Sequence, residues 1–252
     1  MIVVLGAVAA EQQLLRRALA QAHHSRHAHL DCYSGGINGH ELVVCAGGVG
    51  KGAAAAATAL LIDHFAPNLV LVCGCAGAYP RGGLQIGDMA VATEEILGDD
   101  GVQTAAEFLN LADIGLPGAH RDGVNYYNRY PLDSAVRALF APPLEQFART
   151  EAVTCASGSF VTLSTCCGSV ASAQQMYQRW NAVVENMEGA ACAQICALNK
   201  VPMWQLRAIS NMVEQRDTSR WQLRPAMERA QRAVIHLLHH ISPEEINATC
   251  TL

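Results

Sequence analysis

A single α/β domain, with a mostly parallel central sheet flanked by helices, is the fold class this sequence predicts, and three observations carry it. Short β-prone runs alternate with helical patterns along the 252 residues, an order that implies strands joined by helical crossovers. Of the residues, 51% are apolar and only 15% charged, which suits a sheet buried on both faces. No internal repeat, low-complexity linker or break in composition marks a second domain, so residues 1–252 read as one unit.

The first strand is predicted over 2–5, Ile-Val-Val-Leu, and a helical pattern follows over 11–22. His23, His24, His27 and His29 come next, in a polar stretch that reads as a solvated loop. Further strands are predicted at 41–46, 69–73, 88–93, 152–156, 182–185 and 203–209. Helical patterns cover 52–65, 169–180, 189–199 and 221–240. Pro225 falls near the start of the last of these, where a missing amide donor costs little. The exception to this regularity is 98–132, rich in Gly, Asp, Asn and Tyr. A loop of such length in a compact domain is usually functional or mobile.

Charge and composition exclude several classes of function. A net charge of −5 without a basic stripe argues against a nucleic-acid partner. Met1-Ile2-Val3-Val4-Leu5-Gly6 begins a strand at once, with no basic leader. The longest apolar run, around 68–78, is broken by glycines, so no membrane span is expected and the cytoplasm is the expected location. The ten cysteines include no Cys-x-x-Cys pair and read as small buried hydrophobes, with neither metal nor cofactor expected.

Gly47-Gly48-Val49-Gly50-Lys51-Gly52 looks like a phosphate cradle, but Gly52 stands where a P-loop needs Ser or Thr. Its loose dinucleotide spacing also lacks an acidic residue at the end of the next strand. A tight strand-to-helix turn is the simpler reading. In Cys73-Gly74-Cys75-Ala76-Gly77-Ala78 the glycines allow backbone to approach a ligand closely.

The strongest functional signal is Glu185-Asn186-Met187-Glu188-Gly189-Ala190-Ala191 followed by Arg207-Ala208-Ile209-Ser210-Asn211. Glu188 stands at a strand-to-helix junction and Asn211 closes the next strand. In a parallel sheet both would face one small molecule at the strand ends. A carboxylate accepts from hydroxyls, and an amide reads a polar ring from two sides.

This pattern resembles the nucleoside phosphorylase and nucleosidase superfamily, over nearly the whole chain. The resemblance implies a nucleoside phosphorylase-like fold and a purine nucleoside substrate. It places Met187 beneath the sugar and Glu188 on the ribose hydroxyls, with Cys75, Ala76 and Gly77 in the pocket wall. Phe160 would be the aromatic that stacks on the base, with the Val161 backbone beside the purine edge. Glu11 matches the position where family hydrolases hold a water-activating Glu. Phosphorylase relatives need arginines near this turn, and none lies between Met1 and Glu11. Asn211 stands where adenosine-cleaving relatives carry Asp. Its amide complements a 6-oxopurine, by donating to O6 and accepting from a protonated ring nitrogen. The sequences Asn211…Arg216-Asp217…Trp221 and Asn125-Tyr126-Tyr127-Asn128-Arg129-Tyr130-Pro131-Leu132 resemble the futalosine hydrolase branch. Tyr126, Tyr127 and Arg129 have chemistry suited to the aryl carboxylate of that branch's substrate. Arg207 reads as a buried, paired arginine. In relatives a neighbouring subunit closes the pocket, which implies a homo-oligomer. The competing activities are methylthioadenosine or adenosylhomocysteine nucleosidase, and phosphorylase.

Overall fold

The computed structural model describes residues 1–250. β1 (Ile2–Gly6) leads through a 3-10 turn at Ala9–Gln12 into α1 (Gln13–Ala18). A meander of β2 (Ala20–His27), β3 (Leu30–Ile37) and β4 (His40–Ala46) follows, then α2 (Lys51–Phe65), β5 (Leu69–Ala78) and β6 (Met89–Leu97). Five three-residue strands come next: β7 (Gly101–Gln103), β8 (Phe108–Asn110), β9 (Ala119–Arg121), β10 (Val124–Tyr126) and β11 (Arg129–Pro131). The chain continues through α3 (Ser134–Glu151), β12 (Cys155–Thr162), α4 (Val170–Trp180), β13 (Val184–Asn186) and α5 (Gly189–Asn199). It then forms β14 (Met203–Met212), α6 (Leu223–His240) and α7 (Pro243–Cys250).

The α/β class stands, and the central sheet is mixed. β1 pairs parallel with β4 and β5, β14 parallel with β5, and β12 parallel with β6 and β13. The β2–β3–β4 meander, β11 on β6, β13 on β5 and β14 on β6 are antiparallel. In the meander the tight turns between β2, β3 and β4 force this direction, because parallel neighbours need a long crossover. Strands β5, β13, β12, β6 and β14 close into a ring through these pairings.

Two main cores fill the faces, and a smaller third cluster surrounds Trp180. Leu5, Val43, Val70 and Val72 pack with Ala54, Ala57 and the buried alanines of α5. Alternate residues Val4, Leu42 and Leu71 turn to the opposite face, against Phe140, Val234 and Leu237 of α3 and α6. The small side chains of α2 and α5 let both helices lie close to the sheet.

The helix expected over 11–22 is cut short. At Leu19 the backbone turns extended, and residues 20–27 pair antiparallel with β3. Strand pairing here overrides a helical preference that is weak in isolation. His23, His24 and His27 therefore lie in an edge strand rather than a loop, with polar side chains on an exposed edge, and only His29 stays in the turn to β3. The long segment 98–132 is also more ordered than its composition suggested. Asn128 fastens it: Nδ2 donates to the carbonyls of Leu97 and Asp100, and Oδ1 accepts from Leu111 N–H.

One feature of the sheet positions the site. β5 pairs with β1 only through Val72, and gains β13 on that side at Gly77. Between these points the edge of β5 is free, and a cleft opens at the fork, as expected where neighbouring strands diverge.

Candidate active site

The cleft has a volume of about 290 Å³. Glu11, Cys75, Ala76, Gly77, Met187, Glu188 and Asn211, all singled out in the sequence, line it. They come from the ends of β1, β5, β13 and β14, so the fork gathers side chains up to 200 residues apart (Glu11 to Asn211).

Glu11 is 2% exposed and sits in the 3-10 turn after β1. Its Oε2 accepts from the N–H groups of Ala7 at 2.8 Å and Val8 at 3.3 Å. Its Oε1 accepts from Cys75 N–H at 2.9 Å, the amide freed where β5 leaves β1. A side chain at position 74 would collide with this carboxylate, so Gly74 provides its space. Besides these backbone donors only the weakly donating Cys75 thiol reaches the carboxylate, which keeps acceptor capacity for a water.

Glu188 precedes α5 and is held from three directions. The Asn186 side-chain oxygen accepts from the N–H groups of Glu188 at 2.9 Å and Gly189 at 2.7 Å, which closes the helix start. Gly50 N–H donates to Glu188 Oε1 at 3.1 Å. The glycine turn at 47–52 thus aims an amide at a carboxylate, with Gly50 at φ +91°, where L side chains are strained. Arg207 Nη2 lies 3.3 Å from Glu188 Oε2.

Arg207 is the buried, paired arginine expected from the sequence, at 2% exposure. Burial alone would weaken its proton affinity, but Glu188, Glu11 and Glu95 outweigh that and raise its pKa. Three carboxylates around one guanidinium cannot all be neutralised by it. Glu95, fully buried, is the one displaced: desolvation lifts its pKa from 4.5 to about 7, against hydrogen bonds from Thr162 and Asn186. The folded chain then holds a proton that the unfolded chain releases. Stability is expected to fall by about 3 kcal/mol as pH rises from 4.5 to about 7, and to be flat for this group beyond. Urea unfolding at pH 5 and pH 8 checks this, since Glu95→Gln should remove that part of the slope.

Asn211 Oδ1 accepts from Ser210 Oγ at 2.8 Å, and Nδ2 donates to Met212 O at 3.2 Å. One amide hydrogen and one lone pair remain for a ligand. A Cβ on Gly77 would sit 2.7 Å from Val213 Cγ2 and 3.0 Å from Asn211 Nδ2, so only glycine lets both side chains pack against β5 here.

Phe160 and Val161 do not reach the cleft. Both are 0% exposed, Phe160 in the core under α5 and Val161 in the cluster around Trp180. β12 is paired on both edges, so alternation sends these side chains into opposite cores, and Phe160 offers no open ring face to a base. Cys166 and Cys167, in the turn beyond β12, line the cleft instead. Burial pushes both thiols up to about 12, and Cys75 likewise, so they stand as neutral walls. The proposed carboxylate readers are also elsewhere: Tyr126 stacks on Tyr130, Arg129 pairs with Glu94, and neither they nor Tyr127 line the cleft.

Further residues that carry no local signal in the sequence also line the cleft. Glu185 does so from β13, and Arg216, Trp221, Leu223 and Met227 close one side. The Arg216 guanidinium lies 4.7 Å from the Trp221 ring. Arg216 and Trp221 had served only as a mark of likeness, because nothing in their spacing told which way they point.

Residues 1–241 match the phosphorylase superfamily, and the chain belongs to it. Among its relatives, futalosine hydrolase of Thermus thermophilus is 33% identical over 203 residues, covering 81% of this chain and 84% of the relative. The 5'-methylthioadenosine/S-adenosylhomocysteine nucleosidase of Colwellia psychrerythraea is 30% identical over 253 residues, covering 97% and 98%. A crystal structure of a nucleosidase of that name from Colwellia psychrerythraea 34H, in complex with adenine, superposes with a TM-score of 0.81. It covers 94% of this chain and 93% of that one at 24% identity, a likeness of fold.

Proposed function

We propose that this protein hydrolyses the N-glycosidic bond of futalosine, releasing hypoxanthine and dehypoxanthine futalosine, in menaquinone biosynthesis. The broader class is an N-glycosyl hydrolase acting on a purine nucleoside. One observation carries the choice of base: the amide of Asn211 stands in the cleft wall beside Gly77, where a 6-oxopurine would find both a donor and an acceptor. The likeness to the Thermus thermophilus enzyme supports the same reading.

The chemistry follows from the charges that develop. Breaking the bond leaves positive charge on the ribose and negative charge on the base. Glu188 accepts from the ribose hydroxyls and favours that positive charge. Asn211 donates to the leaving base, and Met187 packs against the sugar. Glu11 takes a proton from the attacking water. Of the two arginines in the cleft wall, Arg207 is committed to Glu188 and Arg216 lies over Trp221. Neither forms a ready phosphate clamp, so water rather than phosphate is the nucleophile.

We also assign the protein to the cytoplasm as a homo-oligomer, in which a neighbouring subunit closes the 5′ end of the cleft. Among the described residues no helix is long and apolar enough to cross a membrane.

Incubation with futalosine, inosine and methylthioadenosine, with and without phosphate and a chelator, tests the proposal. The expected result is hypoxanthine and a free sugar from futalosine in every condition. A ribosyl phosphate product or strict phosphate dependence would overturn it. The second reading, a methylthioadenosine or adenosylhomocysteine nucleosidase, draws on the Colwellia psychrerythraea relative, which this chain matches over 97% of its length. It predicts Asp where Asn211 stands. Asn211→Asp is therefore expected to lower futalosine cleavage and raise relative use of the 6-amino analogue. Opposed acceptors in a desolvated pocket cost about 1–3 kcal/mol, one to two powers of ten in the ratio of kcat/KM. An unchanged ratio would remove Asn211 as reader of the 6-position.

A further inference from the structure

We propose that Glu185 is a second reader of the base, accepting the N1–H of a 6-oxopurine and so selecting it over a 6-aminopurine. This rests on the nucleosidase reading above and adds the group that decides which base is taken.

Glu185 is 5% exposed, lines the cleft and has no part in the chemistry described so far. Its place is set by strand pairing. On one edge of β5, Glu185 of β13 stands opposite Gly77; on the other edge, Asn211 of β14 stands opposite the same glycine. Residues paired across a sheet project to one face. The carboxylate and the amide therefore stand on either side of Gly77, and a flat ring in the cleft that all three line meets both.

The carboxylate is only partly satisfied by the protein. Tyr79 Oη donates to Oε2 at 2.7 Å, and Cys167 N–H donates to Oε1 at 2.9 Å. The thiols of Cys166 and Cys167 also reach it, but as weak donors, so strong donors fill only about half of its roughly four acceptor sites. No Lys, Arg or His pairs with it among the described residues, in contrast to Glu188, which has Arg207. A carboxylate buried without a cation is costly unless further donors reach it. On the cleft side only the weak thiol donors stand, so the strong donor still lacking is one that a ligand brings.

The two common purines differ at this edge. A 6-oxopurine presents N–H at ring position 1 and an acceptor at O6. A 6-aminopurine presents an acceptor at position 1 and a donor at N6. A carboxylate facing N1 with an amide donor facing O6 complements the first at two adjacent atoms. With the second, the carboxylate and N1 oppose two acceptors.

A residue that merely anchors the Cys166–Cys167 turn would make no such distinction, and the experiment separates the two roles. The kcat/KM values for inosine and adenosine, and for futalosine and its 6-amino analogue, are measured in wild type and Glu185→Gln. Gln keeps the size and one acceptor oxygen but offers an amide donor that suits the N1 of adenine. The expected result is a fall of about ten- to a hundredfold in the 6-oxo to 6-amino ratio. Equal loss on both members of each pair would overturn the proposal while leaving the nucleosidase reading intact.

A binding measurement needs neither the variant nor turnover. Wild-type protein is expected to bind hypoxanthine at least about tenfold more tightly than 1-methylhypoxanthine, which lacks the N1–H. Equal affinities would overturn the proposal even if Glu185→Gln failed to fold. Release of no base from any nucleoside would instead defeat the nucleosidase reading, and the binding ratio would still decide the role of Glu185.

Discussion

Glu11→Gln is expected to lower turnover by about 10²–10⁴-fold while leaving binding of the nucleoside nearly unchanged. The substitution keeps the size of the side chain and one oxygen. That oxygen can still accept from the N–H groups of Ala7 and Val8, which hold Oε2 in the native protein. The other position becomes an NH2 group facing Cys75 N–H, where Oε1 now accepts at 2.9 Å. A donor there can take no proton from water, so the loss should fall on kcat, with KM little altered. Single-turnover kinetics with futalosine, beside calorimetric binding of a non-hydrolysable analogue, checks both halves. Near-normal turnover would reduce Glu11 to a carboxylate that braces the turn after β1.

Removing the guanidinium at the base of the cleft is expected to have the largest effect on stability. Arg207→Met takes away the cation 3.3 Å from Glu188 and leaves Glu11 and Glu95 close by without it. Deleting one partner of a buried pair typically costs about 3–5 kcal/mol, because the remaining charge stays uncompensated. The double variant Arg207→Met/Glu188→Gln removes both charges and should regain a substantial part of that loss, although catalysis is lost with Glu188. Denaturant unfolding of the wild type, both single variants and the double variant measures the coupling. If the losses of the single variants simply added, Arg207 and Glu188 would not act as a pair.

The sites legible in the sequence are those whose meaning is local. Glu188 follows a short strand and opens a helix, and Asn211 ends a strand. Such junctions are visible in a few residues of hydrophobic pattern, and strand ends are where α/β sheets hold ligands. Glu11 was legible for the same reason, a few residues beyond β1. The turn containing Gly50 was recognised as a turn, but its amide donor to Glu188 spans 138 residues and has no local signature.

What went astray depended on non-local pairing. Phe160 belongs to the expected type of residue, yet which face of β12 it occupies follows from β6 and β13 on either side. A one-residue difference in register reverses every side chain of a strand. His23, His24 and His27 form a strand because β3 lies beside them, a partner that their own polarity does not announce.

By itself the sequence determined the α/β class, the strand-to-helix junctions carrying Glu11 and Glu188, and the amide at Asn211, since each is encoded by short-range pattern and residue chemistry. Tertiary structure alone decided that β5 forks between β1 and β13, and with it the cleft, the three carboxylates around Arg207, and the meeting of Glu185 and Asn211 across Gly77. Those outcomes arise from hydrogen-bonded register between segments about 65 to 135 residues apart. Register is settled only when the strands pack together and bury their apolar faces.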